Sequence, residues 1–80
     1  MSHTATLPPL PRIPAGRYRH YKGRHYQVLE VARHSETLEP LVVYRPLYGE
    51  GALWVRPAAM FLETVAIDGL PQPRFARVGD

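Results

Sequence analysis

His34, Ser35 and Glu36 stand consecutively in this chain, and a hydrolase uses those three residue types. Their spacing argues against a serine triad. In extended backbone, neighbouring side chains point to opposite sides, so Ser35 faces away from both of its neighbours. One remaining reading has Ser35, Glu36 and Thr37 satisfying backbone groups in a loop, with His34 bonded nearby. Another makes His34 and Glu36 the polar wall of a pocket. If imidazole and carboxylate meet about 3 Å apart in a recess, they form a small hydrolase or amidase-like site, with His34 as base and Glu36 orienting it or handling a proton. A metal site needs His20, His25 and His34 to converge, with Glu36 as a fourth ligand. No H-x-x-H or H-E-x-x-H spacing is present, and a hairpin joining His20 to His25 supplies two ligands, so neither metal nor cofactor is expected.

The aromatic residues offer different chemistry. Tyr18, Tyr21, Tyr26, Tyr44, Tyr48 and Trp54 are spread over every central segment, and for most of them the expected use is filling a small core. Tyr44 and Trp54 fall in the opposite phase to Leu41, Val43, Leu53 and Val55. With those aliphatics inside, Tyr44, Trp54 and Arg56 project from one outer face, bordered by His20, His34 and Glu36. Aromatic faces beside arginine stack on a peptide proline, a methylated cation or an unpaired base. The expected activity is therefore a binding module for a peptide, single-stranded nucleic acid or small anionic ligand. Gly49-Glu50-Gly51 is too short and too acidic for a phosphate-cradling loop and reads as a turn.

The elements that position these residues read as short strands. Residues 1–15 hold Pro8, Pro9, Pro11 and Pro14 without periodicity, an extended N-terminal arm whose first half dozen residues are expected to be mobile. Residues 16–80 form a single domain. Arg17–Tyr21 and His25–Arg33 are strands around a turn at Lys22-Gly23-Arg24, and a bulge near Val28 is needed to turn Leu29 and Val31 inward after Tyr26 and Val28. Pro40 opens the most apolar strand, Leu41–Tyr44, which Pro46 stops. Ala52–Arg56 follows, then a helical turn begins at Pro57, with Met60 or Phe61 plugging one end of the core. Thr64–Ile67 ends at an Asp68-Gly69 turn. Pro71 and Pro73 then disfavour regular structure, and Arg74–Val78 is a last edge strand. The sum is an all-β fold: a small SH3-like or otherwise closed β-barrel of four to six short strands with one short helical turn. An α+β domain with a longer central helix is the alternative.

Composition bounds the rest. Eighty residues carry ten Lys plus Arg against seven Asp plus Glu, a formal charge of +3. That length excludes a Rossmann domain, a TIM barrel or a two-domain enzyme. Residues 12–34 hold Arg12, Arg17, Arg19, Lys22, Arg24 and Arg33 against Glu30 alone, an asymmetry that favours encounter with anions. The absence of cysteine removes disulfides, thiol nucleophiles and cysteine-based metal sites. No apolar run approaches the roughly 18–20 residues that cross a bilayer, and Leu7-Pro8-Pro9-Leu10-Pro11 breaks a signal helix. A cytoplasmic protein without a membrane partner is expected, monomeric or weakly dimeric through edge pairing at Arg74–Val78.

Six strings together resemble the bacterial domain-of-unknown-function family 1653. They are Tyr18–Gly23, His34–Thr37, Tyr44–Leu47, Leu53–Pro57, Met60-Phe61 and Pro73–Phe75. The resemblance covers roughly residues 16–78 and implies a compact β-rich domain without an established activity. It supplies no catalytic residue. The motif positions it implies are Tyr18, His20, Tyr21, Tyr26, His34, Glu36, Thr37, Tyr44, Trp54, Arg56, Pro57 and Phe61.

Overall fold

Turn chemistry and alternating burial cut the described residues into seven strands and one helical turn. The protein was described from a computed structural model, in which residue 7 and residues 9–80 are described. The expectations for Pro8 and for mobility of the first six residues lie outside the described residues. In chain order the elements are β1 (Gly16–His20), β2 (His25–Arg33), β3 (Pro40–Pro46), β4 (Trp54–Pro57), α1 (Ala58–Phe61), β5 (Thr64–Ile67), β6 (Leu70–Pro73) and β7 (Phe75–Gly79). Strands β4-β3-β2-β1-β7 form one antiparallel sheet, and β5-β6 form a two-stranded ribbon.

Seven strands exceed the four to six expected because β6 forms where prolines argued against it. Pro71 and Pro73 lie on a strand with one partner, opposite Ala66 and Thr64. Alternate positions of such a strand need not donate to a ladder, so proline is tolerated there. Asp68 and Gly69 both adopt positive φ, 52° and 79°, which suits the tight two-residue reversal between β5 and β6. Among the pairings found, β4 and β7 are the edges of the larger sheet and do not hydrogen-bond to each other. The sheet nevertheless curls strongly. The Tyr44 ring on β3 lies 6.3 Å from Phe75 on β7, although two strands intervene. A flat sheet places those strands about 14 Å apart.

The expected bulge in β2 is present, with the β2–β3 register shifting between Val28 and Glu30. Leu29 is the extra residue and remains exposed, whereas Val31 turns back and packs against the core. That core comprises Ile13, Tyr18, Tyr26, Val28, Val42, Tyr44, Ala58, Phe61 and Phe75. It reaches back before β1 to Ile13, and the Tyr18 hydroxyl donates to the Pro14 carbonyl at 2.7 Å. Phe61 plugs the core as expected, its ring stacked on Phe75 at 4.3 Å and 7°, while Met60 beside it faces solvent.

One expectation is inverted. Tyr44 does not project outward: it is 2% exposed, together with Val42 at 0%. Leu53 and Val55, assigned to the interior, are 54% and 61% exposed, and Leu41 and Val43 are only half-buried. Register is the reason. Val28 and Tyr26, whose inward phase is clear, pair with Tyr44 and Pro46, and paired residues share a face.

Candidate functional site

Trp54 and Arg56 share one face of β4, as their spacing requires, but it is the concave face. Trp54 pairs with buried Tyr44, and Arg56 pairs with buried Val42. Because β4 is an edge strand, nothing covers the indole fully, and Trp54 stays 43% exposed. Its ring meets Tyr44 at 6.0 Å and 86°, and Tyr26 at 6.4 Å. Tyr44 thus belongs to this neighbourhood as its floor, with its hydroxyl as the working atom. Arg56 Nε donates to that hydroxyl at 3.2 Å, and the guanidinium lies 5.7 Å from the Phe75 ring. A bond and an aromatic face hold the guanidinium in place, which limits the side-chain freedom lost when an anion is bound.

His20 reaches the same floor from β1. It pairs with Phe75, and its ring meets Phe75 edge-on at 4.9 Å and tilts against Tyr21 at 4.5 Å. The Lys22 amide donates to His20 Nδ1 at 3.1 Å, so the neutral ring carries its proton on Nε2. Burial, with Arg74, Arg56 and Lys22 nearby, pushes the His20 pKa below the usual imidazole value. Neutral His20 is therefore an N–H donor among cations.

Two further cations flank the floor. Arg24 stacks on Tyr48 at 4.2 Å, and the Tyr48 hydroxyl bonds to that of Tyr26 at 2.9 Å. Burial and the Tyr48 hydrogen bond push the Tyr26 phenol up to about 12, so it is neutral throughout the physiological range. Arg74 pairs with Glu63 at 3.1 Å and lies 5.9 Å from the Tyr21 ring. Phe75 and Arg74 went unnoticed as site residues. Beyond the Pro73–Phe75 string of the family resemblance, the sequence signal for them is an aromatic beside an arginine in the last strand, which is meaningless until β7 is known to pair with β1.

His34 and Glu36 stand elsewhere. They lie in the β2–β3 connection, next to the Pro40 end of β3, whereas Trp54 pairs with Tyr44 four residues further on. That separation is about 13 Å along the strand. His34 Nδ1 accepts from the Glu36 and Thr37 amides at 3.0 and 3.2 Å, while the Glu36 side chain is exposed. The loop's backbone amides are thus satisfied by the His34 ring, and by Thr37 Oγ1, which accepts from the Glu39 amide at 3.3 Å, rather than by the Ser35 and Glu36 side chains expected for that task. His25 pairs with Arg19 on the face opposite His20, and His34 lies just past the far end of β2, so the three imidazoles do not converge. Among the described residues no helix is long and apolar enough to cross a membrane.

A shallow recess of about 100 Å³ opens on the opposite side of the sheet, between β1, β7 and the β5–β6 ribbon. Arg19, Tyr21, Ile67, Gln72, Pro73 and Ala76 line it. Sequence reasoning missed it, because its walls come from residues 19–21 and residues 67–76, segments far apart in the chain whose contact depends on the ribbon's docking.

Comparison with known proteins agrees with this fold. The family described as "Protein of unknown function (DUF1653)" matches residues 16–77. A solved structure, described as "Crystal structure of a protein belonging to pfam DUF1653 from Bordetella bronchiseptica", is similar at a TM-score of 0.76 and 46% identity. The match covers 84% of this chain and 88% of that one. No curated protein matches the chain.

Proposed function

We propose a ligand-binding role for this chain, which belongs to the DUF1653 family of proteins of unknown function. The ligand is a small anion carrying a flat group, taken up where Trp54, Arg56 and His20 surround the Phe75–Tyr44 floor. The observation that carries this reading is the half-exposed indole beside a guanidinium that Tyr44 and Phe75 already hold in place. The indole offers a stacking face, Arg56 a charged donor, and neutral His20 a second donor. Arg24, Lys22 and Arg74 add the positive field that draws an anion in. The curled five-stranded sheet serves as an SH3-like barrel left open between β4 and β7, and the ligand sits at that opening. The hydrolase reading of His34 and Glu36 has no comparable support, since the His34 ring is engaged by its own loop.

The test uses the single tryptophan as reporter. Adenosine monophosphate, a flat anion, is titrated against the intact protein, with neutral adenosine as control. A saturable change in Trp54 emission is expected with the monophosphate, weakened about tenfold or more in Arg56→Ala through loss of a charge-assisted hydrogen bond. An Arg56→Ala protein that responds like the parent, or emission indifferent to the monophosphate, refutes the proposal.

A further inference from the structure

Three arginines share the convex face of the sheet, away from the Trp54 site. Arg17 and Arg19 flank buried Tyr18 on β1, so both point outward, and Arg45 lies between buried Tyr44 and Pro46 on β3. Arg17 pairs with Gln27 and Gln27 with Arg45, which sets Arg17, Gln27 and Arg45 in one row across three strands. Arg17 to Arg19 spans about 7 Å, and Arg17 to Arg45 about 10 Å. Among the described residues none of the three side chains makes a hydrogen bond or ion pair, while Glu63 and Asp80 pair with other arginines. Glu30 is an acid on this face, one row beyond Arg45 next to Val43.

Arg19 has a second position: it also lines the recess with Tyr21 and Gln72. Ala76, which pairs with Arg19, lines it too, so the recess opens onto the same convex face. A row of free guanidiniums therefore leads into a depression with an aromatic ring and a side-chain amide in its wall. Phosphates and a base, covalently linked, complement those two features together.

The geometry points to a binding surface for single-stranded nucleic acid on this convex face, with Arg17, Arg19 and Arg45 on successive phosphates and one base in the Tyr21–Gln72 recess. The guanidiniums supply sequence-independent attraction. Tyr21 supplies a stacking face, and the Gln72 amide offers one donor group and one acceptor to a base edge. Apart from Tyr21, whose ring also meets His20, this surface shares no residue with the Trp54 site, and the arginine substitutions test it separately.

The experiment is fluorescence anisotropy of a fluorescein-labelled twelve-nucleotide oligothymidylate with the full chain. Three phosphate contacts predict binding that weakens about 20-fold between about 50 and 200 mM salt. The triple variant Arg17→Ala, Arg19→Ala, Arg45→Ala abolishes binding, and Arg45→Ala alone lowers the logarithmic salt slope by about 0.7. Tyr21→Ala weakens binding about fivefold or more and leaves the slope unchanged. Circular dichroism confirms that each variant is folded, and Arg45→Glu provides a second, charge-reversed surface variant. Four results overturn the proposal: no binding at low salt; tighter binding of the matching duplex; loss of binding in Trp54→Ala but not in the triple arginine variant; or cosedimentation with phosphatidylserine vesicles without oligonucleotide binding.

Discussion

His20 carries the clearest pH dependence of any single residue. Its ring sits against Phe75, close to Arg74, Arg56 and Lys22, and burial together with those cations lowers its pKa from the usual 6.5. The folded state therefore holds the ring neutral while the unfolded chain takes up a proton as pH falls through about 6.5. This contribution to stability is intact above that value and is lost as pH falls toward the lowered folded-state pKa. The thermal midpoint is expected to fall between pH 7.5 and 5, and the fall to be smaller in His20→Gln. An equal fall in both proteins contradicts the assignment. At this scale sequence reading kept Tyr44, Trp54 and Arg56 on one face, as alternation along β4 and the Tyr44–Trp54 pairing have it, but turned that face outward. The side was misjudged for all three, because Leu41-Val42-Val43-Tyr44 is apolar at every position and alternation there selects no face. The choice between faces comes from pairing with Val28, which lies 16 residues away.

Among the elements, β1 shows how tightly a strand start can be specified. Gly16 adopts a φ of +141°, and a Cβ there meets the Gly79 carbonyl oxygen at 2.5 Å and the Arg77 guanidinium at 2.9 Å. Gly69, in the β5–β6 turn, has a φ of +79° and open space around it. Gly69→Ala meets the backbone penalty alone, about 1–3 kcal/mol, and Gly16→Ala meets that penalty plus a collision with backbone. Urea unfolding is expected to show Gly16→Ala as the more destabilised of the two, and comparable midpoints disprove a close β1–β7 approach. The turns were legible because Asp-Gly, Lys-Gly and proline-bounded runs act locally. The bulge in β2 was legible as well, since Tyr26, Val28 and Val31 cannot share a face without it. Strand β6 was not, since the rule against proline holds for strands paired on both sides and the sequence does not say how many partners a strand has.

For the molecule as a whole, cohesion is concentrated in rings. Phe75 touches Phe61, His20, Tyr26, Tyr44 and the Arg56 guanidinium, and so joins β7 to β3 and β4 at the far side of its own sheet, strands with which it does not pair. Truncating a buried aromatic costs about 3–5 kcal/mol. A domain of this size holds about 4–12 kcal/mol in total. Phe75→Ala is therefore expected to lower the thermal midpoint more than Val78→Ala, its exposed neighbour on the same strand, as followed by circular dichroism. Equal midpoints rule out Phe75 as the tie between the sheet's two edges. The same curl explains why an aromatic core was only half legible: tyrosines at every strand signal bulk, but which rings meet depends on how far the sheet bends. The first and last strands of this fold are also immediate neighbours, with Arg17 opposite Gly79 and the Arg77 guanidinium clasping the Ala15 carbonyl. That adjacency makes the domain a natural cassette. A short flexible linker can splice its two extremities and new ends can be cut at the exposed Ser35-Glu36 tip, leaving every ladder intact while the order of the strands along the polypeptide is rotated.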